Sequence, residues 1–332
     1  MDNLCHTLVG AALAEAGLRK KTPLATATLL IAANLPDVDG VLYWANQADT
    51  AYGFRRGWTH GVLGLALWPF LLTGLVLVWD RWVRRRRNPA AEPARPRALM
   101  GLAALALLTH PVLDYLNTYG TRWLMPFRDA WSYGDTLFIA DPWVWLALGL
   151  GYYLSSRRRR RGAPHPERAA AWSLALVTLY IVVMGVSGLA ARALARAAIE
   201  RSGVTVGRLM AGPLPATPFR RQIVAEAGDR YILGTVDWLR RPMFVPDPAS
   251  PVPKRDGQPA VAEAARTPSG ASFVRWARFP FYVVERGSRA TVVRMVDARY
   301  TLDPEASFGA LSVTLPLAVP SAGVSVNQEQ DP

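Results

Sequence analysis

"LALLTHPVLDYLN", residues 105–117, decides how the chain is read: it begins as a membrane-spanning helix and ends in His110, Asp114 and Asn117. Ionisable groups at membrane depth are costly, so a helix that keeps them has a partner or a use for them. On a helix, His110 and Asp114 stand four residues apart and share one face, with about 6 Å between them. Pro111 lies between them and has no amide hydrogen to return to residue 107, which loosens the backbone at this polar end.

Five further apolar segments surround this one. Leu4 to Leu18 and Pro23 to Leu35 are short, whereas Val62 to Trp82, Leu99 to Asn117, Leu137 to Ser155 and Ala169 to Ala191 are longer. A full crossing takes roughly 20 residues, so the short pair predicts a helical hairpin buried among the longer helices. The expected fold class is mainly α: a polytopic helical membrane domain of about six helices over residues 1–195. The character then changes to β-branched and aromatic runs such as "RYILGTVDW", "PFYVVE" and "TVVRMV". These predict a small β-rich domain over 196–320, with a Pro-rich insert near 241–270 and a disordered tail at 321–332.

The net charge of +13, from 38 Lys and Arg against 25 Asp and Glu, raises the question of a nucleic-acid partner. Its placement argues against one. Arg81 with Arg84 to Arg87, and Arg157 to Arg161, follow apolar runs directly, as cytoplasmic anchors do. Together with Arg19-Lys20-Lys21 they thread the chain so that His6, Asn34 to Asp39, His60 and Asp114 lie at the outer face. The β-rich domain is then extracytoplasmic, and the expected location is a bacterial-type inner membrane. The single cysteine, Cys5, allows no internal disulfide, and the basic cluster after the first apolar stretch does not resemble a cleavable signal.

Three of the four histidines, His6, His60 and His110, thus meet Asp37, Asp39 and Asp114 at one level. Imidazole nitrogens mixed with carboxylate oxygens suit zinc, and less selectively manganese or iron. The expected ligands are His6, Asp37, His60, His110 and Asp114, holding one or two ions. Asp39 follows Pro36 and fits a helix cap as well as a catalytic role. Asn117, also a catalytic candidate, and Asn34 are placed to orient ligands or bind substrate. Arg55, Arg56, Arg122 and Arg128 are placed to receive an anionic headgroup or to anchor the chain at the interface. Asp135 and Asp141, in "YGDTLFIADPW", are read as cap or loop residues.

At these residues the sequence resembles the YdjM-like family of membrane-bound proteins, described as predicted metal-dependent hydrolases. The likeness rests on "MDNLCHTLVGAALAEAG", "ANLPDVD", "RRGWTHG", "THPVLDYLNTYG" and "YGDTLFIADPW", roughly residues 1–155. The ligand order also resembles the zinc-dependent phospholipase C and nuclease superfamily. That likeness implies one metal held by Asp37, His60, His110 and Asp114, and a second joined by His6 and bridged by Asp114. The superfamily supplies further ligands downstream, where this chain has no histidine except His165. The resulting expectation is a membrane-embedded, metal-dependent hydrolase acting on a phosphoester of a lipid or envelope precursor. The alternatives are a structural metal cluster or a site for ion or proton handling.

Overall fold

The computed structural model describes residues 1–41 and 53–316; the stretch 321–332, read above as a disordered tail, lies outside the described residues. Contacts divide the chain into a unit from Met1 to Lys254 and a second from Arg255 onward.

Among the described residues, six main helices build the first part. α1 (Asn3–Glu15) starts where the Asp2 carboxylate accepts from the Cys5 amide. α2 (Ala25–Asn34) gives way to a 3₁₀ turn over Leu35–Gly40, because Pro36 cannot continue the α-helical ladder. α3 (Val62–Trp79) runs on through a π turn, Asp80–Arg84, into a last turn, Arg85–Arg87. α4 (Pro96–Tyr115) continues through Pro111, α5 spans Pro142–Arg160, and α6 spans Arg168–Glu200.

Three of these, over Val62–Arg87, Pro96–Tyr115 and Arg168–Glu200, are long and apolar enough to cross a membrane. The expected membrane domain of about six helices, the first two short, thus shows three candidate spans among the described residues, and a count of six spans is not confirmed. α1 and α2 are too short, and α5 spends its last turn on Arg157 to Arg160. α5 also starts at Pro142 rather than Leu137, because the Asp141 side chain accepts from the Trp143 and Val144 amides and caps it.

Small residues let the helices approach closely, as expected where lipid removes the hydrophobic drive for helix association. A Cβ on Gly10 would come within 2.9 Å of the Leu29 carbonyl oxygen, so only glycine lets α1 lie this close to α2. Ala33, Leu72, Leu99, Ala103 and Leu107 form one buried core between α2, α3 and α4. Cys5, Val9, Leu113, Val144, Leu148 and Val177 form another between α1, α4, α5 and α6.

The basic loops gather at one end. Arg159 pairs with Glu15 at 2.9 Å and Lys20 with Glu167 at 3.5 Å, while the Arg95 amide donates to Thr22 Oγ1 at 2.7 Å. α6, with 33 residues and about 50 Å long at 1.5 Å per residue, outruns a ~30 Å apolar core. Near its far end, Ala191 and Ala195 pack on Ala211, Ile223 and Val236 of an antiparallel sheet. That sheet runs β1 (Leu209–Leu214), β2 (Thr217–Ala227), β3 (Arg230–Asp237), β4 (Phe244–Pro246), with β5 (Val252–Pro253) also on β3. Gly228, at φ +60°, makes the two-residue turn between β2 and β3.

The second unit holds two helices, α7 (Pro259–Ala264) and α8 (Pro268–Trp276), and a sheet of β6 (Pro280–Arg286), β7 (Ala290–Asp297) and β8 (Ala310–Pro316). The Pro-rich stretch 241–270 therefore carries β4, β5, α7 and the start of α8. Pro259 and Pro268 sit in first helical turns, where a missing amide hydrogen costs nothing.

Candidate metal centre

Three elements deliver the cluster. α4 places His110 and Asp114 on one face, the 3₁₀ turn after α2 presents Asp37 and Asp39, and the turn before α3 presents His60. His60, His110 and Asp114 are fully buried and Asp37 is nearly so.

The tautomers follow from the partners. His110 Nδ1 lies 2.6 Å from the Ala33 carbonyl oxygen, which can only accept, so Nδ1 carries the proton and Nε2 faces the cluster. Thr59 Oγ1 donates to Asp39 Oδ2 at 2.8 Å and accepts from His60 Nδ1 at 2.8 Å. His60 Nε2 therefore also faces inward. Both imidazoles are held from behind by a hydrogen-bond acceptor, as metal-ligating histidines are.

Four inward atoms then form one compact set. His60 Nε2 and His110 Nε2 are 3.1 Å apart. Asp114 Oδ2 is 3.3 Å from the first and 3.6 Å from the second, and Asp37 Oδ1 is 3.7 Å from each. All four lie within 4.8 Å of one another. A tetrahedron with metal–ligand bonds of ~2.0–2.1 Å has edges of roughly 3.3 Å, so the set fits a single ion of zinc's size. Two carboxylates and two facing imidazole nitrogens also require positive charge among them. Burial opposes charging His60, but hydrogen bonds to Asp114, Asp37 and Asp39 outweigh it and raise the imidazole to about 10. The Asp37 carboxyl is lowered, burial being overcome by the His110 and His60 imidazoles that face it at 3.7 Å.

His6 stands behind this set. Its ring stacks on His110, with centroids 3.7 Å apart, and its Nε2 lies 3.4 Å from Asp114 Oδ1. Neither ring nitrogen is hydrogen-bonded, although the side chain is fully buried. Asp114 Oδ1 also receives the Met1 amino group and, at 3.0 Å, Arg56 Nη2.

The remaining candidates lie behind the cluster, at its rim or apart from it. Arg56 is buried: its guanidinium reaches Asp114, Asn117 Oδ1 at 3.2 Å and the Gly120 carbonyl at 3.1 Å, and lies over the Tyr119 ring. Its amide donates to Asp39 Oδ2 at 2.9 Å. Asn117 Oδ1 accepts from the Tyr119 and Gly120 amides as well, which fixes the turn after α4. Arg122 is buried against Asp129 and the Arg55 carbonyl. Asn34 ties α2 to α1 through Thr7. Arg55 is 23% exposed, 3.5 Å from Asp37 and 3.7 Å from Asp39. Asp135 pairs with Arg192 at 2.8 Å, apart from the cluster. Thr59 and the Ala33 carbonyl, which set the two tautomers, were not among the expected residues. The "TH" pair at 59–60 was the one available sign of the first, and a backbone carbonyl leaves none.

A family model described as YdjM inner membrane protein matches residues 1–191. The chain belongs to the YdjM inner membrane protein family. The YdjM match spans every residue of the cluster and stops before β1, so the sheets lie outside it. The chain is similar to the uncharacterized protein YfhP of Bacillus subtilis (strain 168), 26% identical over 157 residues, 44% of each chain. It thus spans under half the length of that curated relative. No solved structure matches.

Proposed function

We propose that this YdjM-family protein is a membrane-embedded, metal-dependent hydrolase whose centre opens at the extracytoplasmic face. Its substrate class is a phosphoester of a lipid or envelope precursor. The observation that carries the reading is the compact set of Asp37 Oδ1, His60 Nε2, His110 Nε2 and Asp114 Oδ2, all within 4.8 Å of one another. These four would hold zinc, with manganese or iron as weaker fits. A bound metal of this kind supplies a Lewis acid and a water acidified toward pH 7.

The chain's own residues divide the remaining work. Thr59 and Asp39 orient His60, the Ala33 carbonyl orients His110, and Arg56 balances the Asp114 charge. Asn117 holds the turn that positions Arg56. Arg55, partly exposed at the rim beside Asp37, is placed to receive an anionic phosphate oxygen. His6, buried and without hydrogen bonds on Asp114's other oxygen, is the candidate ligand for a second ion.

One observation favours a second reading. Every ligand is buried, and a structural metal site is closed while a catalytic one keeps an open position. The full chain, purified and assayed for bound metal, tests both readings. His110→Ala and Asp114→Asn are expected to lose the ion, and full metal content in both variants removes the centre. Metal-loaded protein is then given phosphomonoester and phosphodiester panels that include phospholipids. Turnover lost with the metal supports the hydrolase. Unfolding on metal removal without turnover on any panel supports the structural site.

A further inference from the structure

Away from the cluster, α2 and α3 enclose an apolar groove of about 580 Å³, lined by Leu24, Ile31, Leu72, Leu75, Trp79 and Trp82. It exists because α2 has 10 residues while α3 and its extension run from Val62 to Arg87. Along α3 the lining extends from Leu72 to Val83, about 16 Å at 1.5 Å per residue. That is half of a ~30 Å hydrocarbon core, the depth of one leaflet.

The groove ends among cations. The Arg86 guanidinium lies 4.2 Å from the centre of the Trp82 ring and the Arg81 guanidinium 5.8 Å from it. Both side chains are exposed, and neither has a carboxylate partner among the described residues; Arg84, by contrast, pairs with Asp80 at 2.5 Å. Lys21, at the start of the turn leading into α2, is also exposed at this end. An apolar slot one leaflet deep, closed by two unpaired guanidinia on an aromatic ring, matches an amphiphile with an acyl chain and an anionic head. We infer that the α2–α3 groove is a binding site for an anionic diacyl phospholipid, its phosphate held by Arg81 and Arg86 and one acyl chain laid along Leu75 and Trp79. A zwitterionic lipid fills the slot as well but gains less from the two cations.

Native mass spectrometry of the full chain in detergent, with equimolar phosphatidylglycerol and phosphatidylcholine of identical chains, tests this. The unaltered protein is expected to retain phosphatidylglycerol about tenfold over phosphatidylcholine. Arg81→Gln with Arg86→Gln should bring the two lipids level. Ala27→Trp, which fills the exposed wall of the groove and leaves the arginines intact, should lower retention of both. Thermal melting of each variant checks that it folds. Equal retention by the unaltered chain overturns the proposal, as does a preference that survives the double substitution. Ala27→Trp with undiminished retention also overturns it, since the arginines would then bind lipid without the groove.

Discussion

At one end of α3, charge is buried and shared: His60, just before the helix, meets Asp37, His110 and Asp114, with Arg56 packed behind. At the other end, Arg85, Arg86 and Arg87 stand exposed. The two ends use similar side chains and obey different rules. A charge out of water holds its place only through partners, so each partner at the histidine end is worth several kcal/mol. An exposed arginine is solvated whether or not anything faces it. Dense polar partnering, rather than the presence of charge, marks the end that carries the candidate metal centre.

Asp114→Asn is the strongest attempt to break this contrast. The substitution keeps the shape and removes the charge shared by Arg56, His60 and His110. The expected loss is ~3–5 kcal/mol of stability in the metal-free protein, the usual consequence of stripping one partner from a buried ionic group. Bound metal should fall with it. Thermal unfolding in detergent and metal analysis read the two effects, and an unchanged melting temperature would make the buried end no different from the exposed one.

Thr59→Val sharpens the contrast one shell out. It removes the hydroxyl that joins His60 Nδ1 to Asp39 while leaving all four ligand atoms in place. Loss of such an orienting contact weakens metal binding by roughly 10–100-fold. A competition titration with a metal-binding dye measures this. An unchanged affinity would mean that packing alone orients His60.

The histidine end was partly legible in the sequence, and the reasons are local. The four-residue spacing of His110 and Asp114, and Pro36 ending α2 so that Asp37 and Asp39 fall on a turn, are consequences of helix geometry. Arg56 was not legible in the same way. In "RRGWTHG" it reads like its neighbour Arg55, yet Arg55 stays at the rim while Arg56 is buried against Asp114 and Tyr119. Nothing in the local pattern separates them, because the difference is made by Asn117 and Gly120, some sixty residues away. The start of α5 was missed because the cap, Asp141, outweighs the apolar run Leu137 to Ile139 that precedes it.

A partly exposed carboxylate on β2 supplies an intermediate case. Glu226 accepts from Arg208 at 2.7 Å and from Lys254 at 2.5 Å, and these partners, Arg208 first, lower its carboxyl to about 2. The folded value lies below the unfolded one of ~4.3, so the stabilisation is present above pH ~4.3 and is lost as pH falls toward 2. Solvent screening keeps it within ~0–1 kcal/mol. Glu226→Gln should therefore melt slightly lower than the unaltered chain at pH 7, and the gap should narrow by pH 3. A gap that widens in acid would reverse the assigned direction.

The arginine end should respond least. Arg85→Gln with Arg87→Gln removes two charges that have no carboxylate partner among the described residues and leaves Arg81 and Arg86 beside Trp82. The expected change in detergent is within ~0.5 kcal/mol, the range for surface substitutions that break no contact. A slight gain is the favoured sign, because Arg84 to Arg87 are four adjacent like charges in one helical turn and removing two relieves their repulsion. The measurement is the melting temperature at low and high salt. Repulsion predicts that the gain shrinks as salt screens it, whereas a loss growing at low salt would mean that these arginines have partners after all, and the two ends would differ in degree rather than in kind.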